Sequence, residues 1–467
     1  ATTELKDQNF VDEQPIYIYR DQVEDIYIVQ NCTFTRCISE QDYGGALRIN
    51  ISNGAQISII STNFSQCKSS HYGGAISATI IYTTSKLTID GSCYFDQCSA
   101  GYGGAIYANG TGQFILNAGL VINNCSSNVG GGIHVSFQSI VTAKFNGVTF
   151  KDCSSTYEGG GLYIDFQFDS DYIKFTGDIT FDNCSSQYGG GMLLRFNSQR
   201  LEISTKFLFK NCISVRDGGG MSMYYSQTGS NVIMTGDTTF INCTSLNYGG
   251  GTQVSATQSG TVEIIGQKFK DCSSQYFGGA LSAVIQSMGQ LIIRGLEIEN
   301  CSSLQGGGLY LQVWEGQLIS DNLTVKNCTG RYGGGMFAFI GDQGQVILDN
   351  NCEFLQCTSN KGNGGGIYVN SDSLATCQFQ INDALIKECQ AIEDELNDVP
   401  PTGYGGGIFV TGSEDYNVFS KRFNLKGLKM IENTASRRGQ SIYIAMTKVV
   451  EWCKLGIAGE YVKGNYS

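Results

Sequence analysis

The stretch that decides the fold runs Phe181-Asp182-Asn183-Cys184-Ser185-Ser186-Gln187-Tyr188-Gly189-Gly190-Gly191-Met192-Leu193-Leu194. Its skeleton is Phe-x-x-Cys, a short link rich in Ser and Thr, an aromatic residue, two or three glycines and an apolar-x-apolar run. This skeleton recurs along the chain, and a fixed period of this kind indicates a repeat architecture. The cysteine slot is filled thirteen times, at spacings of 27 to 32 residues. These row cysteines are Cys37, Cys67, Cys98, Cys125, Cys153, Cys184, Cys212, Cys243, Cys272, Cys301, Cys328, Cys357 and Cys389.

Each repeat has the pattern of three short strands. The apolar run after the glycines alternates, as in Leu162-Tyr163-Ile164, and a period of two is typical of a strand. A second strand follows a turn, as in Val262-Glu263-Ile264, and a third ends at the Phe-x-x-Cys. One coil cannot bury its apolar face alone, but stacked coils can. The sequence therefore predicts an all-β fold, a parallel β-helix solenoid of about 13 to 14 coils with Phe and Cys pointing inward.

We expect one solenoid domain over residues 32–445, because a solenoid grows by adding coils without needing a new core. Residues 1–31 carry two strand-like runs outside the regular repeat and are predicted to form an N-terminal cap or an assembly arm. Residues 446–467 are predicted to form a C-terminal cap or tail. Neither end shows the pattern of an amphipathic helix.

The glycines and the aromatic residue before them have structural interpretations. Glycine supplies a positive-φ bend and lets stacked backbones approach closely. In-register coils would stack the aromatic residues into a partial ladder. These residues are Tyr43, Tyr72, Tyr102, Tyr188, Tyr248, Phe277, Tyr332 and Tyr404.

The composition excludes several classes of function. The formal net charge of −12 argues against nucleic acid and anionic membrane surfaces as partners. No apolar run reaches the ~18 residues of a membrane helix, and no leader opens the sequence, so we expect any signal peptide to have been removed. The chain has two histidines, too few to supply a series of metal sites, so no metal or cofactor is expected.

Eighteen cysteines without Cys-x-x-Cys knuckles favour an oxidising, extracellular compartment, either secreted or at a cell surface. Asn-x-Ser/Thr sequons point the same way. Nine of the sequons are glycosylation candidates, and Asn31 and Asn465 carry two further sequons. Those nine are Asn50, Asn63, Asn109, Asn124, Asn183, Asn242, Asn300, Asn322 and Asn327.

In-register stacking places the row cysteines in a line, and two arrangements are open. Neighbouring cysteines could pair as disulfide rungs, since coils ~4.8 Å apart lie within the Cα range that a disulfide tolerates. Alternatively, the thiols could pack as small buried apolar groups. The off-row cysteines are Cys32, Cys93, Cys352, Cys377 and Cys453.

The repeat resembles that of the chlamydial polymorphic outer membrane proteins, in which Gly-Gly-Ala-Ile alternates with Phe-x-x-Asn. Gly73-Gly74-Ala75-Ile76 matches this signature as it stands, and Met430-Ile431-Glu432-Asn433 restores the asparagine. The resemblance covers about residues 32–445 and implies a right-handed, pectin-lyase-like parallel β-helix displayed at a surface. This chain differs in placing cysteine in the asparagine slot and in lacking a translocator barrel pattern, and the motif carries no active residues.

The uniform repeats favour a non-enzymatic structural or adhesive protein that self-associates into a fibre or surface coat, or contacts other extracellular surface proteins. The fifth slot after the first glycine points outward, and four consecutive coils place aromatic residues there. Exposed contiguous aromatics usually mark a partner surface, although a covering loop is the alternative. The predicted partner surface is Tyr310, Phe337, Tyr368 and Phe409.

Two other classes of function compete. A polysaccharide lyase or hydrolase needs clustered carboxylates in an outward groove, and the nearest candidates are Asp165, Asp169 and Asp171, with no matching row of Asp, Lys or Arg in neighbouring coils. A glycan-binding module would stack aromatic side chains on sugar faces. We therefore expect no catalytic residues.

Overall fold

The structure is a computed structural model that describes residues 2–40, 42–137, 142–166, 173–196, 200–225, 228–372, 376–396, 400–413, 417–454 and 465–466. It is a nearly all-β, right-handed parallel β-solenoid of about 12 turns, close to the 13 to 14 coils expected. The chain divides into two compact units. Unit 1 holds Ala1–Gln227 with Gly236–Thr238, and unit 2 holds Thr228–Thr235 with Thr239–Ser467.

Most turns contribute strands to four rows, here called sheets 1 to 4, rather than three. The strands of sheet 2 form two hydrogen-bonded sheets and those of sheet 4 form three. Sheet 1 holds the strands after the glycines, sheet 2 the strands that follow, and sheet 3 the Phe-x-x-Cys strands. The Ser/Thr-rich segment after the cysteine, which the sequence predicted to be only a link, forms a fourth, short strand in sheet 4. These strands have as few as two residues, so they carry no alternation by which the sequence could reveal them.

In unit 1 the sheets run in sequence order. Sheet 1 is Ile16–Arg20, Leu47–Ile51, Ile76–Ile80, Ile106–Gly110, Ile133–Phe137, Leu162–Phe166, Met192–Phe196 and Met221–Tyr225. Sheet 2 strands are Thr2–Lys6, Ile26–Gln30, Gln56–Ile60, Lys86–Ile89, Gln113–Leu116, Ala143–Asn146, Ile173–Thr176 and Arg200–Ile203. Sheet 3 is Asn9–Val11, Thr33–Thr35, Asn63–Ser65, Tyr94–Asp96, Val121–Asn123, Thr149–Lys151, Asp178–Asp182 and Lys206–Lys210. Sheet 4 strands are Ile38–Ser39, Lys68–Ser69, Ser126–Val129, Ser154–Glu158, Ser185–Tyr188 and Ile213–Asp217.

Unit 2 repeats the arrangement. Sheet 1 is Thr252–Ala256, Leu281–Ile285, Leu309–Val313, Met336–Ile340, Ile367–Ser371, Ile408–Gly412 and Ile442–Ala445. Sheet 2 is Asn231–Met234, Thr261–Ile265, Gln290–Arg294, Gln317–Asp321, Gln345–Asp349, Gln378–Ile381 and Phe423–Asn424. Sheet 3 is Thr239–Ile241, Lys268–Lys270, Glu297–Glu299, Thr324–Lys326, Cys352–Leu355, Ala384–Lys387, Leu428–Ile431 and Asn465–Tyr466. Sheet 4 strands are Thr244–Ser245, Ser273–Ser274, Thr329–Tyr332, Thr358–Asn363, Gln390–Ala391 and Thr434–Ala435.

The first 31 residues join the regular ladders. Thr2–Lys6 pairs in parallel with Ile26–Gln30, and Ile16–Arg20 pairs with Leu47–Ile51. The two strand-like runs in this segment are therefore strands of sheets 1 and 2, in register with the repeats that follow.

A short α-helix, Val449–Lys454, packs in unit 2, where the sequence showed no amphipathic helix. Its Trp452 side chain is fully buried, and the indole Nε1 donates to the carbonyl of Phe423 at 3.1 Å. One helical turn and a half is too short to show a periodic pattern, which is why the sequence did not reveal it. A 3₁₀ turn, Val418–Ser420, precedes it.

The glycines hold neighbouring coils at close approach. Gly73 adopts a φ of +63°, in the left-handed region. A Cβ on the following glycine, Gly74, would lie 2.0 Å from the carbonyl oxygen of Gly104 in the next coil. The bend and the close approach that the sequence predicted are therefore both present. Each requires a residue without a side chain.

The interior is filled by stacked phenylalanines from sheet 3, which point inward as predicted. In unit 1 the Phe150 and Phe181 rings lie 4.8 Å apart at 2° between planes. In unit 2 the Phe240 and Phe269 rings lie 4.6 Å apart, also at 2°. In-register parallel pairing forces like residues over like residues, so a single Phe per repeat becomes a continuous apolar stack.

Candidate functional site

The row cysteines are all buried, and the thiol of each donates to backbone carbonyls where a contact is resolved. Cys67 Sγ lies 3.6 Å from the carbonyl oxygens of both Ser65 and Phe34, the latter in the preceding coil. A thiol is a weak donor, yet two acceptors per sulfur leave it well satisfied. The same pair of contacts recurs at Cys37, Cys98, Cys153, Cys184, Cys212, Cys272, Cys357 and Cys389. This geometry matches the second arrangement considered above, packed thiols.

Burial disfavours the charged form of these thiols, but contacts between neighbouring thiols also act on them. Burial raises the pKa of Cys98 and of Cys184 well above the ordinary thiol value, and the thiols of adjacent coils add to the shift at Cys184. At Cys272 and Cys357 burial acts in the same direction, but contacts with the neighbouring thiols outweigh it and lower the pKa. Only the thiolate is a good nucleophile or metal ligand. The off-row Cys93 and Cys352 are also buried, and burial raises the pKa of each to about 11. The row thiols are thus enclosed in the packed interior, whereas Cys453 is exposed.

The predicted partner surface is not exposed as expected. Tyr310, Phe337 and Phe409 are only 7, 6 and 8% exposed, and Tyr368 between them is partly buried. The rings stack on one another, with Phe337 5.1 Å from Tyr368 and Tyr368 4.9 Å from Phe409. Their outward direction was predicted correctly, but the expected exposure is wrong.

The aromatic residues before the glycines provide the cover. The ring of Phe277 lies 4.7 Å from that of Tyr310, tilted by 49°. Tyr332 contacts Tyr368 edge-on at 5.6 Å. Two aromatic ladders thus close over each other, and the alternative of a neighbouring segment covering the row accounts for the burial.

Unit 1 has a charged cluster on the outer face of sheet 1 that the sequence analysis missed. Asp165 is in register with Arg195 in the next coil, and Arg195 Nη2 binds Glu158 Oε1 at 2.7 Å. Burial raises the pKa of Asp165, although Arg195 opposes the shift. Asp169 and Asp171, the other two carboxylates considered for catalysis, lie outside the described residues. Residues 30 positions apart become neighbours only through the register, so composition did not reveal this pair.

Nearby lie a half-buried pair, Tyr224 with Asp217, and a buried histidine, His134. Tyr224, in register with Arg195, donates to Asp217 Oδ2 at 3.2 Å, and burial raises the pKa of Asp217. His134 is 7% exposed, packs between Tyr107 and Tyr163, and has its pKa lowered by burial to about 4. These groups show that the outer face of sheet 1 in unit 1 is polar and partly enclosed.

Five of the glycosylation candidates directly precede a row cysteine, and all five are exposed with φ between 48° and 56°. Asn is among the residues that best tolerate this left-handed conformation, so backbone geometry explains why Asn recurs there. Asn183 also donates to Asp152 Oδ1 at 2.6 Å. The five are Asn124, Asn183, Asn242, Asn300 and Asn327.

The remaining four candidates lie elsewhere. Asn63 and Asn322 are exposed, whereas Asn50 and Asn109 lie within sheet 1 strands and are partly buried.

Comparison with protein-family models, with curated proteins and with solved structures finds no match. No family match therefore supports the resemblance to polymorphic outer membrane proteins. The β-solenoid itself is shown by the parallel pairing of its strands. In the described part of the chain, no helix has the length and apolarity that crossing a membrane requires. Those same residues bring together no cluster of three or more His, Cys, Asp or Glu side chains suited to a metal ion.

Proposed function

We propose that this protein is a non-enzymatic extracellular structural or adhesive β-solenoid that self-associates into a fibre or surface coat. The resemblance to surface-displayed β-helix repeats supports the extracellular placement. The burial of the row thiols supports a structural role for the repeat, because their contacts with backbone carbonyls lie in the packed interior.

The observation that carries the proposal is the distribution of exposed apolar side chains. Among the described residues, twenty large apolar side chains are exposed, and eleven of these lie within the first 102 residues. Tyr17 and Tyr19 project from Ile16–Arg20 and are 57% and 47% exposed, and Val23 in the following turn is 74% exposed. A concentration of exposed apolar groups marks an interaction surface on a protein with few charged residues. The association that we propose therefore runs through these first coils of unit 1.

Light scattering tests the proposal. Protein purified without denaturant should form species larger than 50.5 kDa at micromolar concentration. Replacing both tyrosines, Tyr17→Ser with Tyr19→Ser, should shift the population towards monomer. The matched control Tyr157→Ser alters another exposed tyrosine of unit 1 and should leave association unchanged. A sharp monomer in all three proteins would refute self-association.

A further inference from the structure

Unit 2 contains an open groove of ≈ 950 Å³ along the turns that connect sheet 1 to sheet 2. It crosses several consecutive coils, and its walls are almost entirely uncharged polar groups. Among the described residues that line it, only Glu315 and Arg422 carry charge. Arg422 is held in place, because its Nη1 donates to the carbonyl of Thr376.

One wall of the groove is a row of glutamines. Gln290, Gln317, Gln345 and Gln378 occupy the first position of four consecutive sheet 2 strands and pair in register. Gln290 Nε2 donates to Gln317 Oε1 at 2.7 Å, and Gln317 Nε2 donates to Gln345 Oε1 at 3.1 Å. The amides of Gln290, Gln317 and Gln345 are therefore preorganised by these two hydrogen bonds.

The amides in this row keep hydrogen-bonding capacity for a ligand. A carboxamide has two N–H donors and an oxygen with two lone pairs. A link in the ladder uses one donor and one acceptor, so Gln317 has one N–H and one lone pair left over. Coils repeat every ~4.8 Å, so these donor and acceptor pairs recur at a spacing comparable to one sugar unit of an extended glycan. A hydroxyl group, which both donates and accepts, is the complementary ligand group.

The other lining residues agree with a sugar ligand. Met288 is 74% exposed at one wall and offers an apolar contact to the carbon face of a ring. Nucleic acid would need a basic wall, and a peptide strand would need an open sheet edge, whereas sheet 2 is paired on both sides of Gln317.

We propose that this groove binds a linear, uncharged oligosaccharide, laid along the glutamine row with its hydroxyl groups on the amides. The inference rests on the proposed adhesive function, for which it names the class of ligand. It places the ligand on the sheet 2 side of unit 2, away from the aromatic rows considered from the sequence.

Calorimetric titration of the full chain with cellohexaose and with xylohexaose tests the inference, and polygalacturonate serves as the charged comparison. We expect at least one neutral hexasaccharide to bind with a Kd in the micromolar to low millimolar range. Gln317→Leu interrupts the ladder at similar side-chain volume and should weaken binding at least tenfold. Thr261→Trp should fill the end of the groove beside Gln290 and also weaken binding, while every amide of the ladder is kept.

Gln113→Leu is the matched control, since Gln113 holds the same first position of a sheet 2 strand in unit 1. It should leave the affinity unchanged. The inference is overturned if neither hexasaccharide binds at millimolar concentration, if polygalacturonate binds more tightly, or if correctly folded Gln317→Leu and Thr261→Trp bind like the native chain. Light scattering on the same variants separates the two proposals. If the protein associates normally but binds no hexasaccharide, only the proposal for the groove is refuted.

Discussion

Asn433 makes through its carboxamide the contacts that a row cysteine makes through sulfur, and its partner is Cys389 in the preceding coil. Asn433 Oδ1 accepts from the backbone N–H of Cys389 at 2.9 Å, and Nδ2 donates to the carbonyl of Ile386 at 2.9 Å. Cys389 itself donates to the corresponding carbonyl one coil earlier, that of Phe354, at 3.4 Å. Thiol and carboxamide therefore donate to carbonyls at the same place in the repeat, one coil apart.

This equivalence predicts that the row tolerates asparagine better than an apolar side chain. Cys389→Asn should change the free energy of unfolding by less than about 1 kcal/mol, because the amide replaces the thiol on the same carbonyl. Cys389→Leu has no donor and too much volume, and overpacking should cost about 1–3 kcal/mol. Thermal unfolding followed by circular dichroism measures both. Equal losses for the two variants would contradict the prediction.

The burial of the row predicts a simple labelling pattern. Iodoacetamide should modify Cys453 rapidly in the native protein, because it is exposed, and should leave the buried row cysteines unmodified. In denaturant without reductant the row should become fully reactive. Mass mapping of the labelled peptides reads out each site. Row cysteines that stay unlabelled in denaturant until a reductant is added would instead show disulfide rungs.

His134 predicts a pH dependence of stability. Its pKa in the folded protein is about 4, whereas an unfolded histidine titrates near ~6.5. The unfolded chain thus binds a proton first as the pH falls. Stability should be complete above pH ~6.5 and decline towards pH ~4, by up to roughly 3 kcal/mol from this group.

Denaturant unfolding of the native chain and of His134→Phe at pH 7 and pH 4 isolates the histidine. The phenylalanine variant should lose less stability between the two pH values, since it keeps the ring contacts with Tyr107 and Tyr163. Identical pH profiles for the native chain and His134→Phe would show that His134 does not titrate on unfolding.

The close approach of coils predicts losses of stability of different size for two glycine substitutions. Gly74→Ala places a methyl group 2.0 Å from the carbonyl oxygen of Gly104, so the coils must separate. It should lower stability by more than about 3 kcal/mol or prevent folding, as other severe overpacking does. Gly266→Ala meets nothing within 4 Å and carries only the strain of a φ of +69°, about 1 kcal/mol. Soluble yield and melting temperature distinguish the two, and equal effects would disprove the backbone clash.

The repeat made the interior of the molecule predictable, because one rule applied thirteen times describes it. The inward Phe181 and Cys184 and the bend at the glycines follow from the period and from strand alternation. The surface was less predictable. Whether Tyr310 is exposed depends on how Phe277, 33 residues earlier, is tilted over it. The pairing of Asp165 with Arg195 and the amide ladder through Gln317 likewise depend on register between coils, which spacing alone suggests but does not determine.

The spacing between Cys389 and Asn433 shows how this architecture accommodates added sequence. The interval is 44 residues, yet Gln390 still pairs with Thr434 and Ala391 with Ala435. The strands on either side of the extra residues keep their alignment. Such a chain can acquire a foreign peptide at this turn, or a whole additional coil, without rewriting its neighbours. Deleting one residue within a strand, by contrast, would turn every later side chain of that strand to the opposite face.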